Sequence, residues 1–141
     1  MKTSAFLKLI AIIALLIVNV QLYAQNPVDI TVEWTDNCIP PVSSSDKYNL
    51  LIEIIDTSIP QVIGECNPPL INSSQSTYTC EDIIYCNPDS QQKKYRIFIR
   101  IERIDTSGGQ ERLVCYGERL DGLYNCYDLL NLGTVYIALP N

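Results

Sequence analysis

The stretch YRIFIRIERI, residues 95–104, carries the clearest structural pattern in this chain of 141 residues. Apolar and polar side chains largely alternate along it, which is typical of a strand with one face in a core and the other in solvent. The first face holds Tyr95, Ile97, Ile99 and Ile101. The second face holds Arg96, Phe98, Arg100 and Glu102. The stretch therefore predicts a β-strand from Tyr95 to Ile104.

Most of the remaining chain also consists of strand-like segments separated by turn-forming residues. The other predicted strands cover residues 28–34, 48–55, 61–66, 77–84, 111–116 and 134–139. Gly108 and Gly109 predict a hairpin turn between two of the strands. Residues 120–132 lack a strand pattern, and we expect a loop with a helical turn there. Short strands joined by turns predict an all-β fold, an antiparallel β-sandwich.

The chain has six cysteines, an even number that favours three disulfide bonds in an oxidising compartment. They are Cys38, Cys66, Cys80, Cys86, Cys115 and Cys126. Zinc sites usually pair cysteines at closer spacing and often add histidine, which this chain lacks. Six cysteines allow 15 pairings, and the sequence does not choose among them. We prefer pairing between neighbours, namely Cys115–Cys126, Cys80–Cys86 and Cys38–Cys66.

Residues 1–24 have the three-part pattern of a secretory signal peptide, with two lysines, an apolar run and a cleavage site after Ala24. The alternative, a membrane anchor, needs about 20 apolar residues, which is more than this run provides. We therefore predict a mature protein of one domain, residues 25–141, with no membrane span. Its predicted location is extracellular or periplasmic.

The predicted mature chain is acidic, because removing the leader leaves eight basic residues against 16 acidic ones, a net charge of −8. Such a chain repels phosphate backbones, so we do not expect nucleic acid as a partner. The chain contains no histidine and no motif of a catalytic serine, a phosphate loop or a dinucleotide site. We therefore predict no catalytic residue, no metal and no cofactor.

Two segments of the chain repeat the same pattern. IEIIDTS at residues 52–58 matches IERIDTS at residues 101–107, a constant offset of 49 positions (101 minus 52). Cys66 and Cys115 fall at the same offset. Two explanations are open: a duplicated hairpin, or two hairpins that draw on the few residue types favoured in strands, which we prefer. Both explanations predict strand, turn and strand in each copy.

The order of these features resembles a fibronectin type III or related immunoglobulin-like domain over residues 28–116. The resemblance is carried by ITVEWTDN (30–37), YNLLIEIID (48–56), STYTCEDI (76–83) and the tyrosine-led KKYRIFIRIERID (93–105). It implies that Trp34 is the core tryptophan and Tyr95 the corner tyrosine of that family. The family's first strand is missing here, and we expect the strand at 134–139 to occupy the vacated edge. The family hosts many unrelated binding roles, so the resemblance assigns no site.

The sequence leaves two classes of function. The first is a secreted, non-catalytic binding or adhesion module, and the alternative is a small secreted enzyme or enzyme inhibitor. The lack of histidine favours the first class, since histidine is the commonest acid–base catalyst. Exposed tyrosines suit binding to proteins or sugars. The loops around Asp36 and Asp105, which the resemblance places at one end of the sandwich, offer a second surface. The predicted binding residues are Tyr124, Tyr127, Tyr136, Asp36 and Asp105, with an extracellular protein or glycan as partner.

Overall fold

The computed structural model describes residues 25–89 and 92–140, so the predicted signal peptide lies outside the described residues. The strands are β1 (Asn26–Asp36), β2 (Asp46–Asp56), β3 (Gln61–Cys66), β4 (Ile71–Asn72), β5 (Thr77–Cys86), β6 (Tyr95–Asp105), β7 (Arg112–Tyr124) and β8 (Thr134–Leu139). One short helix, α1, spans Cys126–Leu130. Within the described ranges, no helix is long and apolar enough to cross a membrane.

Two packed sheets form the molecule, which confirms the all-β class. The smaller sheet has the order β5-β1-β8, and the larger has the order β3-β2-β6-β7, with β4 paired to β2. The strand at 134–139 lies beside β1, as expected, but it runs parallel to β1. The prediction of a purely antiparallel sandwich is therefore wrong at this one pair. The chain leaves the larger sheet through α1 before β8, so β8 is not a hairpin partner of β7 and its direction is not fixed by a tight turn.

The core lies between the inward faces of β1, β2 and β6, where every second side chain is buried. Trp34 is 3% exposed and Tyr95 is 5% exposed, which confirms that both belong to the core. The rings of Trp34 and Tyr48 meet edge to face with their centroids 5.3 Å apart. This core is made largely of isoleucine, leucine and valine, whose branched side chains suit strand surfaces.

The strand β7 is longer than the sequence pattern suggested. It continues through Leu120 and Leu123 to Tyr124, in a region predicted to be a loop. The alternation that revealed β6 is absent here because much of β7 is exposed on both sides. The predicted helical turn is present as α1, which begins at a reciprocal cap between Asn125 and Asp128.

All six cysteines are paired, in the bonds Cys38–Cys115, Cys66–Cys80 and Cys86–Cys126. The pairing of neighbours that we preferred is therefore wrong. Cys80 and Cys86 lie on the same strand, β5, and six residues of extended chain span about 20 Å. A disulfide requires Cα atoms within about 7 Å. Each bond instead joins separate parts of the fold, with Cα atoms 5.8 to 6.4 Å apart.

The larger sheet is built from two hairpins, β2–β3 and β6–β7, whose first strands pair along their full length. Each hairpin has a register shift next to its turn, after Ile54 in the first and after Arg103 in the second. These two residues are 49 positions apart (103 minus 54), so the repeat in the sequence is also a repeat in the structure. The prediction of strand, turn and strand in both copies is confirmed.

The cysteines do not follow this structural repeat. The loop of the second hairpin, 106–111, is two residues longer than the loop of the first. Cys66 consequently lies opposite Ile52, whereas Cys115 lies opposite Arg103. Equal spacing in the sequence therefore gives unequal positions in the sheet. Cys66 bonds to Cys80 on β5, whereas Cys115 bonds to Cys38 in the loop after β1.

Candidate binding cleft

A buried ion cluster lies at the end of the sandwich where β1 leaves for β2. The side chain of Arg103 is fully buried, and its Nη1 donates hydrogen bonds to both carboxylate oxygens of Asp36 at 3.2 Å. Its Nε lies 3.9 Å from an oxygen of Asp46, and its Nη2 donates to the carbonyl oxygen of Pro40. A buried arginine without such partners would be strongly destabilising. The cluster therefore ties the β1–β2 loop, residues 37–45, to the core of β6.

Tyr48 extends this cluster toward the apolar core. Its hydroxyl donates a hydrogen bond of 2.8 Å to Asp36. Burial, and then this hydrogen bond, raise the pKa of Tyr48 well above its ordinary value. The phenol therefore stays protonated at neutral pH and remains a donor, so Asp36 accepts from both Tyr48 and Arg103.

The β6–β7 turn joins the same loop from the other side. The carboxylate of Asp105 accepts from the backbone N–H of Ser107 and from Arg112, both at 2.9 Å. These contacts, the backbone hydrogen bond first, hold the pKa of Asp105 below its ordinary value of 3.8. Thr106 donates from both its backbone N–H and its hydroxyl to the carbonyl oxygen of Ser45. The turn and the loop 37–45 are thereby fixed to each other.

Between the loop and the turn lies a cavity of about 440 Å³, which we call the loop-end cleft. Its lining is Ile39, Pro40, Pro41, Ser43, Ser45, Asp46, Arg103, Asp105, Ser107, Arg112, Leu113 and Val114. Two apolar side chains at its rim are exposed, Ile39 at 81% and Leu113 at 51%. The floor is charged and the rim is aliphatic, so the cleft offers both polar and apolar contacts to a ligand.

One group of potential metal ligands occurs among the described residues, and it adjoins this cleft. Asp36, Cys38 and Cys115 have ligand atoms within 4.8 Å of one another. The two sulfurs are bonded to each other as a disulfide, and Asp36 is already held by Arg103. A metal ion would need thiolate sulfur, so this group is not suited to metal binding while the disulfide is intact.

The sequence-predicted site residues divide between the cleft and other surfaces. Asp105 lines the cleft, and Asp36 lies beneath it in the ion cluster. Tyr124 is half-buried at the end of β7, where burial and then the charge of Asp121 raise its pKa. The remaining two tyrosines lie on other elements, Tyr127 on α1 and Tyr136 on β8, and are 60% and 61% exposed.

Sequence reasoning missed four residues of this site: Arg103, Asp46, Ile39 and Leu113. A signal for the first was present, because the core-facing positions of β6 continue from Ile101 to Arg103. A charged residue at a core-facing position predicts a buried ion pair. The apolar rim had no comparable signal, since single exposed leucines and isoleucines are common on protein surfaces.

No family model, no curated protein and no solved structure matches the chain. The fixed loops, charged floor and aliphatic rim of the loop-end cleft are the features that indicate a role.

Proposed function

We propose that this protein is a secreted, non-catalytic binding module that engages an extracellular protein through the loop-end cleft. The observation that carries the proposal is the exposed aliphatic rim, Ile39 and Leu113, held around a charged floor. Both loops are fixed by hydrogen bonds and by the Cys38–Cys115 disulfide. A preorganised surface loses little conformational entropy on binding, so exposed apolar groups on it contribute efficiently to affinity.

The charges of the cleft indicate the chemistry of the partner. The acidic groups at this end are Asp36, Asp46 and Asp105, against Arg103 and Arg112, and the predicted mature chain is acidic overall. A partner segment with one aliphatic side chain and a basic or neutral neighbour fits this arrangement. A glycan partner would depend instead on aromatic surfaces such as Tyr127 and Tyr136, which belong to other elements. The aliphatic rim therefore favours a protein partner.

Two features support a binding role over a secreted enzyme. The chain has no histidine. The two carboxyl groups with shifted pKa values, Asp56 and Asp105, are shifted downward by hydrogen bonds from nearby serines. A carboxyl that acts as a general acid near neutral pH needs the opposite shift.

The strand order also supports a fibronectin type III-like arrangement, which we propose as the finer description of the fold. The order β3-β2-β6-β7 and the pairing of β5 with β1 correspond to the expectation from residues 28–116. In this proposal β8 replaces the family's first strand beside β1. The loop-end cleft then lies at the end where the second and sixth strands of such a sandwich finish.

A peptide selection with the disulfide-bonded protein tests the proposed function. We expect a displayed library of random peptides to yield sequences that combine an aliphatic with a basic residue. Leu113→Asp should weaken the binding of a synthetic copy of such a peptide about tenfold or more, measured by titration calorimetry. Tyr127→Ala is the matched control and should bind normally.

Two results would contradict the proposal. One is a selection that enriches no peptide above the background of the support. The other is a peptide whose binding survives Leu113→Asp but is lost with Tyr127→Ala, which would place the binding surface on the tyrosines.

A further inference from the structure

The outward side of the larger sheet carries several partly exposed apolar side chains, and we call it the outer face. Leu120 and Leu123 on β7 are 56% and 57% exposed, and Val62 on β3 is 40% exposed. Phe98 lies opposite Leu120 in the sheet and is half-buried on the same side. A hollow of about 360 Å³ lies in this face, lined by Ile55, Thr57, Pro60, Arg96, Leu120 and Leu123. Contiguous apolar surface of this kind commonly marks an interaction site.

Some charged side chains on the outer face form ion pairs, and others do not. Glu53 and Glu65 lie directly opposite each other on β2 and β3, an arrangement of like charges that destabilises a sheet. Neither glutamate forms an ion pair within the described part of the chain, and the same is true of Arg96. By contrast, Arg100 on the same face is paired with two other glutamates.

The unpaired charges are close neighbours of opposite sign. Arg96 lies opposite Ile55, and Glu53 lies opposite Phe98, so Arg96 and Glu53 are diagonal neighbours across β2 and β6. The apolar residues Ile55 and Phe98 occupy the other diagonal. A surface with a free cation, a free anion and an apolar patch between them is complementary to itself.

We propose that the outer face is a homodimer interface whose occupant is a second copy of this chain. A two-fold axis passing between Arg96 and Glu53 places Arg96 of each copy near Glu53 of the other, as an isologous contact requires. The apolar side chains around the axis then bury one another, which supplies the main driving force. The second arginine also relieves the repulsion between Glu53 and Glu65.

The acidity of the protein makes this face the favoured one for self-association. The outer face carries three of the eight basic residues of the described chain against four glutamates, Glu53, Glu65, Glu102 and Glu118, whereas the strands of the smaller sheet, β1, β5 and β8, contain no lysine or arginine. The three basic residues are Lys47, Arg96 and Arg100. The loop-end cleft lies at one end of the sandwich and stays free in such a dimer. Two clefts on one particle would raise the avidity for a repeated or surface-bound partner.

Sedimentation equilibrium of the protein expressed from its full-length coding sequence tests the proposal. We expect twice the chain mass at micromolar concentration. Leu120→Asp should raise the dimer dissociation constant at least about tenfold, because it places a charge in the buried apolar centre. Tyr85→Asp is the control, since it places a charge at an exposed aromatic residue of β5 in the other sheet, and it should leave the dimer unchanged.

A charge reversal identifies the pair that sets the geometry. Arg96→Glu and Glu53→Arg should each weaken the dimer about tenfold, and the double variant should regain most of the loss. Circular dichroism and melting of each variant verify that it is folded. A wild-type protein that stays monomeric up to about 1 mM would overturn the proposal. So would a folded double variant that is no tighter than its parents, or a Tyr85→Asp variant that dissociates as Leu120→Asp does.

Discussion

The two ends of the larger sheet share one turn and differ in the core beneath it. At one end Asp56 accepts a hydrogen bond from the backbone N–H of Ser58, and at the other end Asp105 accepts from Ser107, each at 2.9 Å. The threonine between them, at 57 or 106, donates from its N–H and its hydroxyl to the carbonyl just before the neighbouring strand. The same three residues therefore make the same turn twice, which is local chemistry of Asp, Thr and Ser.

One core position separates the two ends. Ile54 and Arg103 occupy equivalent positions beside the two bulges, and both are fully buried. The isoleucine joins an apolar end, whereas the arginine gathers Asp36 and Asp46 into an ion cluster that holds the loop 37–45. The same short sequence thus forms the same turn at both ends, while the residue packed beneath each turn decides whether that end is apolar or charged.

The largest expected effect comes from removing the disulfide at the Arg103 end. The Cys38–Cys115 bond spans 77 residues and the Cys66–Cys80 bond spans 14. The loop-entropy model gives about 4.5 kcal/mol for the first bond and about 3 kcal/mol for the second. Urea unfolding of Cys38→Ala/Cys115→Ala and of Cys66→Ala/Cys80→Ala measures both losses. Equal losses of stability, or a larger loss for the shorter loop, would show that loop length does not decide how much each disulfide contributes.

Arg103→Met should have the next largest effect. It leaves Asp36 and Asp46 buried without their cation, a change that typically costs about 3–5 kcal/mol. Arg100→Met is the control, because Arg100 forms partly exposed ion pairs with Glu102 and Glu118 and its loss should cost about 1 kcal/mol. Denaturant titration gives both values.

Removal of the charges should restore much of the loss. In the triple variant Arg103→Met/Asp36→Asn/Asp46→Asn no net charge remains in the cluster, and a neutral buried group costs far less than an unpaired ion. A triple variant as unstable as Arg103→Met alone would show that the arginine acts through its packing and hydrogen bonds rather than through its charge.

The sequence predicts β6 because its pattern is local, whereas the place of β8 was expected from the resemblance, whose first strand is missing here. Alternation from Tyr95 to Ile104 identifies a strand with one buried face, and the strand at 134–139 lies at the edge of β1 as expected. The disulfide partners depend on which strands lie across the sandwich, which no local pattern encodes. The extent of β7 was equally hidden, because an exposed edge strand has no buried face to show as a period.

The sequence predicts some residues of the loop-end cleft and not others. Asp36 and Asp105 belong to turn and loop segments that the resemblance brings to one end, and the structure has them there. The rim residues Ile39 and Leu113 come together through the path of the loop 37–45, which is fixed by the Cys38–Cys115 disulfide, by Arg103 and by the hydrogen bond from Thr106 to Ser45. That contact joins residues 61 positions apart and has no signature in either segment.

The smallest expected effect concerns the two turn aspartates and their response to acid and salt. Hydrogen bonds from Ser58 lower the pKa of Asp56, and those from Ser107 lower the pKa of Asp105, below the ordinary value of 3.8. A carboxyl with a lowered folded-state pKa adds stability at pH above its unfolded value, and this stability is lost as the pH falls through the folded value. Below about pH 4, wild type should therefore lose stability more steeply than Asp56→Asn or Asp105→Asn, as followed by urea unfolding from about pH 2 to 6.

Salt should separate the two turns. Hydrogen bonds from Ser58 and Ser107 are the main contacts of Asp56 and Asp105. Arg112 adds a contact of 2.9 Å to Asp105, whereas Lys93 lies 3.6 Å from Asp56. Both cations are largely exposed, so salt screens them, but it screens a short hydrogen bond much less. In about 0.5 M NaCl the difference between wild type and Asp105→Asn should shrink more than the difference between wild type and Asp56→Asn. If salt reduced both stability differences equally, the two turns would be alike in their electrostatics as well as in their hydrogen bonds. The contrast between the two ends would then be due to Arg103 alone.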